Sequence, residues 1–225
     1  MLKRFLYCGS IAIATILLAA PARAATVIDF ATNGAGMGGW LTWNGAQLTG
    51  TNIPIGSVTI ANAPTNNGTY AVYGTAVGTG THTPGGSNLW GDLDFQTSPG
   101  SFISLAGCIP GLSIGTLDAA GNCVDPVTLL TGTITSFDAT NASHGLVSAT
   151  GPDTKSPLLL TAVGLPINTP FAFFGVSIAT NALGPDQGSS AISTDMANTQ
   201  VPEPASLLLL GTGLLALFRT RRRAV

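Results

Sequence analysis

Along the middle of the chain, apolar and polar positions alternate in short runs and never settle into a helical period. Within 89–95, Leu89, Leu93 and Phe95 share one parity while Asp92 and Asp94 take the other. Within 171–180, Ala172, Phe174, Val176 and Ile178 oppose Phe171, Phe173 and Ser177. Similar runs predict strands at 26–30, 40–44, 57–61, 70–74, 89–95, 101–105, 128–137, 146–150, 158–163 and 171–180, nearly all bounded by Gly, Pro or Asn. Many short strands with frequent turns predict a mainly β fold, an antiparallel β-sandwich. The Gly/Thr/Asn stretches at 31–39 and 62–88 read as long loops, and 181–200, polar and without alternation, reads as a linker.

The two ends follow a different pattern. Lys3 and Arg4 precede an apolar run over 5–20, and Ala22-Arg23-Ala24 supplies a small-x-small cleavage site. Residues 1–24 therefore read as a signal peptide handled by the Sec translocon and signal peptidase, with the mature chain starting at Ala25 and Cys8 removed. At the other end Pro202-Glu203-Pro204 is followed by an uncharged run over 205–218 and then by Arg219, Arg221, Arg222 and Arg223. As a helix this run reaches about 21 Å, short of the roughly 30 Å hydrocarbon core. The arginines can extend to the headgroups and mark the cytoplasmic side, so a short transmembrane helix is expected with the body outside.

The motif, the Leu/Gly-rich segment and the closing arginine cluster, in that order at 201–225, resemble the PEP-CTERM sorting signal of Gram-negative bacteria. The resemblance covers about a ninth of the chain and leaves the body unassigned. It implies that Pro202, Glu203 and Pro204 are the recognition site of an exosortase, a membrane-embedded processing enzyme. It implies further that an inner-membrane-anchored precursor is delivered to the cell surface or the extracellular space. Proteins with this tail have unrelated bodies, so no activity follows from it.

Composition sharpens the picture of the body, 25–200. It holds 26 Gly, 11 Pro and 26 Thr and no Glu, a poor supply for solvated helices and a good one for pleated surfaces. Lys155 is its one Lys or Arg against nine Asp, a net charge of −8 hidden behind the chain total of −2. Such a surface cannot neutralise phosphates, which excludes nucleic acid and anionic lipid as partners of the body. Cys108 and Cys123 remain in an exported chain and are expected to form a disulfide closing a loop of about 15 residues.

Candidate chemistry is sparse, and no catalytic, cofactor-binding or metal site is assigned. Gly34-Ala35-Gly36-Met37-Gly38-Gly39 fits GxGxxG, but a strand rather than a helix follows, so it reads as a turn. His82 and His144 lack a nucleophile signature and read as exposed loop residues. Asp92 and Asp94 lack the further ligands of a calcium loop. Trp40, Trp43, Trp90, Tyr70 and Tyr73 can stack on sugars if exposed, though Trp40 and Trp43 differ in parity. The threonines of 79–83 and 131–135 fall on single strand faces. The first reading is a non-catalytic exported surface or matrix protein with extracellular polysaccharide as a further partner. The second is a carbohydrate-binding module, and the third an Asp-dependent hydrolase.

Overall fold

The computed structural model describes residues 25–82, 86–97, 99–140, 145–180 and 187–200. The segment expected as a signal peptide, His144, the Pro-Glu-Pro motif, the apolar run 205–218 and the arginine cluster lie outside the described residues. Among them run β1 (Val27–Ala31), β2 (Gly38–Trp43), β3 (Leu48–Ile55), β4 (Ser57–Ala61), β5 (Gly68–Ala71), β6 (Tyr73–Val77), β7 (Leu89–Gln96) and β8 (Phe102–Gly107). They continue with β9 (Thr116–Leu117), β10 (Cys123–Asp125), β11 (Val127–Gly132), β12 (Ser136–Thr140), β13 (Gly145–Lys155), helix α1 (Pro157–Ala162), β14 (Phe171–Thr180) and β15 (Gln187–Gln200).

The protein is mainly β, an antiparallel curled sheet. Strands follow the order β12-β13-β11-β8-β7-β3-β2-β15-β1-β4-β5, and β14 pairs with both β13 and β15. That double pairing closes a circuit through β13, β11, β8, β7, β3, β2, β15 and β14. The two longest strands make the closure possible by changing partner along their length. β13 pairs with β12 over 146–150 and with β11 over 153–155. β15 pairs with β2 over 187–191 and with β1 over 195–199, keeping β14 on its other side.

Alternation places the core inside the curl. Ile28 and Phe30 of β1, Val58 and Ile60 of β4, and Ile103 and Leu105 of β8 are buried. β7 follows its sequence pattern: Leu93 and Phe95 are buried, while Asp92 and Asp94 are half-buried on the other face. Each large buried apolar side chain contributes roughly 1.5–3 kcal/mol relative to exposure. β14 departs from strict alternation. Its pairing with β15 shifts between Phe173 and Gly175, so Phe171 and Val176, of opposite parity, are both buried.

Five expectations of secondary structure are corrected. The run at 158–163 is helical: Ser156 Oγ accepts from the Leu158 amide at 3.3 Å, Pro157 occupies the first turn, and Leu159 and Leu160 are buried. The segment expected as a linker is, from Gln187 to Gln200, the strand with ladders on both flanks. The single strand expected at 128–137 is two, β11 and β12, joined by a stretch that stays against β13 through Thr133 N donating to Pro152 O and Thr135 N to Thr150 O. The strand expected at 70–74 divides at buried Val72, whose amide donates to Gly56 O, as the chain leaves β4 for β7.

Nor is 62–88 a long open loop. It contains β5 and β6, and the turn before them is fixed by the Asn67 amide, which accepts from Ala63 N and donates to Ala63 O, both at 2.9 Å. Thr65 Oγ1 and Asn66 Nδ2 then donate to Ala162 O, at 3.0 and 2.7 Å, tying this turn to α1.

Candidate functional site

The aromatic residues of β6 and β7 converge on His82, which is buried rather than exposed as the sequence reading had it. Its imidazole lies between Tyr73, with ring centroids 3.7 Å apart, and Trp90, at 3.6 Å. Nε2 donates to Leu89 O at 2.9 Å, which fixes the tautomer, and Trp90 Nε1 donates to Gly80 O at 3.2 Å. Burial lowers the imidazole pKa from its ordinary value, an effect the Leu89 hydrogen bond partly offsets. An open groove rimmed by Asn33, Thr69, Tyr70 and Thr81 runs beside this stack. With Nε2 committed to a backbone carbonyl, His82 serves as a packed neutral ring.

The remaining aromatics are dispersed. Trp40 is 53% exposed, and Trp43 meets Phe137 edge-on with centroids 6.0 Å apart. Thr79 and Thr81 lie after β6 rather than on a strand face, and Thr83 lies outside the described residues; of the second set Thr131 belongs to β11, whereas Thr133 and Thr135 lie between β11 and β12. Of the Gly-rich 34–39 segment, residues 34–37 form the turn expected from the sequence, while Gly38 and Gly39 already open β2.

Asp92 and Asp94 hold neighbouring strands. Asp92 Oδ2 accepts from Thr75 Oγ1, and Asp94 Oδ1 from Asn52 N, both at 2.9 Å. Burial raises the Asp92 carboxyl above the usual range, against the Thr75 hydrogen bond. Among the described residues no three His, Cys, Asp or Glu side chains are grouped to hold a metal ion.

Cys108, just after β8, and Cys123, opening β10, form the expected disulfide, with Cα atoms 5.8 Å apart. Between them Asp118 organises the β9–β10 turn: Oδ1 accepts from Ala120 N and Asn122 N at 2.9 and 2.8 Å, and Oδ2 from Asn122 Nδ2 at 3.1 Å. These donors hold the Asp118 carboxyl below its ordinary value.

The grouping that sequence reasoning missed surrounds Lys155. This lone basic residue of the body is buried, with Nζ donating to Asp153 Oδ2 and, at 2.9 Å, to Asn198 Oδ1. Asn198 Nδ2 donates to Met196 O at 2.9 Å, and the Phe171 ring centroid is 5.1 Å from Nζ. Asp153 Oδ1 is buried with no hydrogen-bond partner among the described residues. Burial lowers the Lys155 pKa to about 8, partly opposed by Asp153, and raises that of Asp153, partly opposed by Lys155. The signal in the sequence was that a single lysine sits at i+2 from an aspartate, which on a strand puts both on one face.

β15 ends at Gln200, two positions before Pro202 in the chain. Residues 200–223 match the family model of the PEP-CTERM protein-sorting motif. No curated protein and no solved structure matches the chain.

Proposed function

We propose that the chain is a non-catalytic exported protein, cut by an exosortase and left at the cell surface or in the extracellular matrix, where it associates with exopolysaccharide. The observation that carries this reading is the sorting-motif match at 200–223, beginning where the sheet ends. The signal peptide ahead of Ala25 and the short apolar span at 205–218, arginines inside, belong to the same proposal. A body of curled antiparallel sheet, whose Asp92 and Asp94 carboxylates tie strands together, suits a structural role. The test is mass spectrometry of the surface and secreted fractions of the producing cell. Peptides of the body ending near Pro202-Glu203-Pro204 are expected; mature protein carrying Arg219 and beyond would make the tail a stable anchor and sink the reading.

The second reading, a carbohydrate-binding module, draws on the open groove with Tyr70 and polar Asn33, Thr69 and Thr81 at its rim. Glycan binding lost on Tyr70→Ala, with the fold intact, would favour it over a purely structural role.

A further inference from the structure

Lys155, Asp153 and Asn198 bring together an amine, a carboxyl and a carboxamide in a site closed to water. We propose that Lys155 and Asn198 form an intramolecular isopeptide bond, with Asp153 as the acid–base residue. The geometry has three parts. The carboxamide presents its carbonyl to the amine, because Lys155 Nζ lies 2.9 Å from Oδ1 while Nδ2 is held by Met196 O. The carboxyl touches the same amine through Oδ2, and its second oxygen is unspent. All three side chains are buried, beside the Phe171 ring.

As an ion pair this arrangement is poorly compensated on the acid side, since the buried carboxylate meets its cation through Oδ2 alone and Oδ1 has no donor among the described residues. Burial pushes both partners toward their uncharged forms. A neutral amine is a nucleophile and a protonated carboxyl an acid, so the same desolvation that penalises the ions prepares the reaction.

The step is redox-neutral and needs no further reactant. The Nζ lone pair attacks Asn198 Cγ while the Asp153 carboxyl hydrogen-bonds the developing oxyanion. Asp153 takes a proton from Nζ and returns one to Nδ2, the Cγ–Nδ2 bond breaks, and ammonia leaves. One C–N bond forms and one C–N bond breaks, giving a secondary amide and a regenerated carboxyl. The product links β13 to β15 across β14 and ties the strand next to the sorting motif to a point 43 residues earlier.

The body contains one tryptic site, Lys155, and a lysine acylated at Nζ is not cut. The test is therefore trypsin digestion of the full-length protein, unfolded and with its disulfide reduced, read by mass. The expected result is no cleavage after Lys155 and a fragment spanning 155 and 198 whose mass is lower by one ammonia. Cleavage after Lys155 with unshifted masses overturns the proposal. Loss of one water instead would make Asp153 the acyl partner and also overturn it. Asn198→Ala and Asp153→Ala should each restore cleavage and full mass; since either can impair folding, the wild-type mass decides alone.

Discussion

His82 lies flat against Tyr73, with ring centroids 3.7 Å apart and planes 11° from parallel. The stack suits a neutral imidazole, whose pKa burial has lowered from the ordinary 6.5. A base with a lowered folded-state pKa binds fewer protons folded than unfolded, so its contribution to stability is complete above 6.5 and declines as pH falls below it. The difference in unfolding free energy between wild type and His82→Gln should thus shrink on acidification from neutrality. An NMR titration placing the His82 midpoint at 6.5 or higher would refute this.

Gly39 and Gly45 both have positive φ but differ in surroundings. A Cβ on Gly39 would lie 2.6 Å from Ile53 Cα and 2.7 Å from Asn52 O, whereas one on Gly45 meets nothing within 4 Å. Gly39→Ala is expected to cost more than about 2 kcal/mol, combining left-handed strain with a backbone clash, and Gly45→Ala about 1 kcal/mol from strain alone. Equal losses in urea denaturation would show that the β2–β3 pair relaxes freely around position 39.

Replacing Cys108 and Cys123 together by Ser removes a cross-link between residues 15 apart and should destabilise the body by about 3 kcal/mol. An unchanged denaturation midpoint under oxidising conditions would mean that the Asp118 turn already confines this loop in the unfolded chain.

Ending the chain after residue 200 should leave a folded body, since every ladder among the described residues is retained. Ending it after residue 186 removes the ladders of β15 with β14, β1 and β2, opens the closed circuit and exposes Ile28 and Phe30. The shorter protein should lose its cooperative thermal transition. Matching circular dichroism and midpoints for the two would restore the linker reading of 187–200.

β15 and α1 show why the sequence was legible only in part. Where one strand face is plainly apolar, as with Leu93 and Phe95 in β7, alternation located the element almost to the residue. β15 turns Thr194 and Asn198 inward beside Met196, so a buried strand looks polar throughout. Helix α1 was mistaken for a strand because a three-leucine run is compatible with either; Ser156 before Pro157, a cap followed by a first-turn proline, was the neglected local signal. β3 escaped notice because Asn52, at φ 52, interrupts its alternation and its pairing shifts between Gly50 and Ile53. The disulfide was legible because only two cysteines remained to pair. Burial of Lys155 was not, since it depends on strands brought together from 43 residues apart.

The flanking of β15 on both sides also decides how the protein meets force. A pull applied beyond residue 200 runs along the axis of a strand whose last residues are bonded to β1 on one side and β14 on the other. The hydrogen bonds of both ladders are then loaded in shear and must fail together, whereas a tail attached to an edge strand such as β5 would let them unzip one at a time. Tension entering the body through β15 would thus reach the interior of the sheet before it could strip an edge.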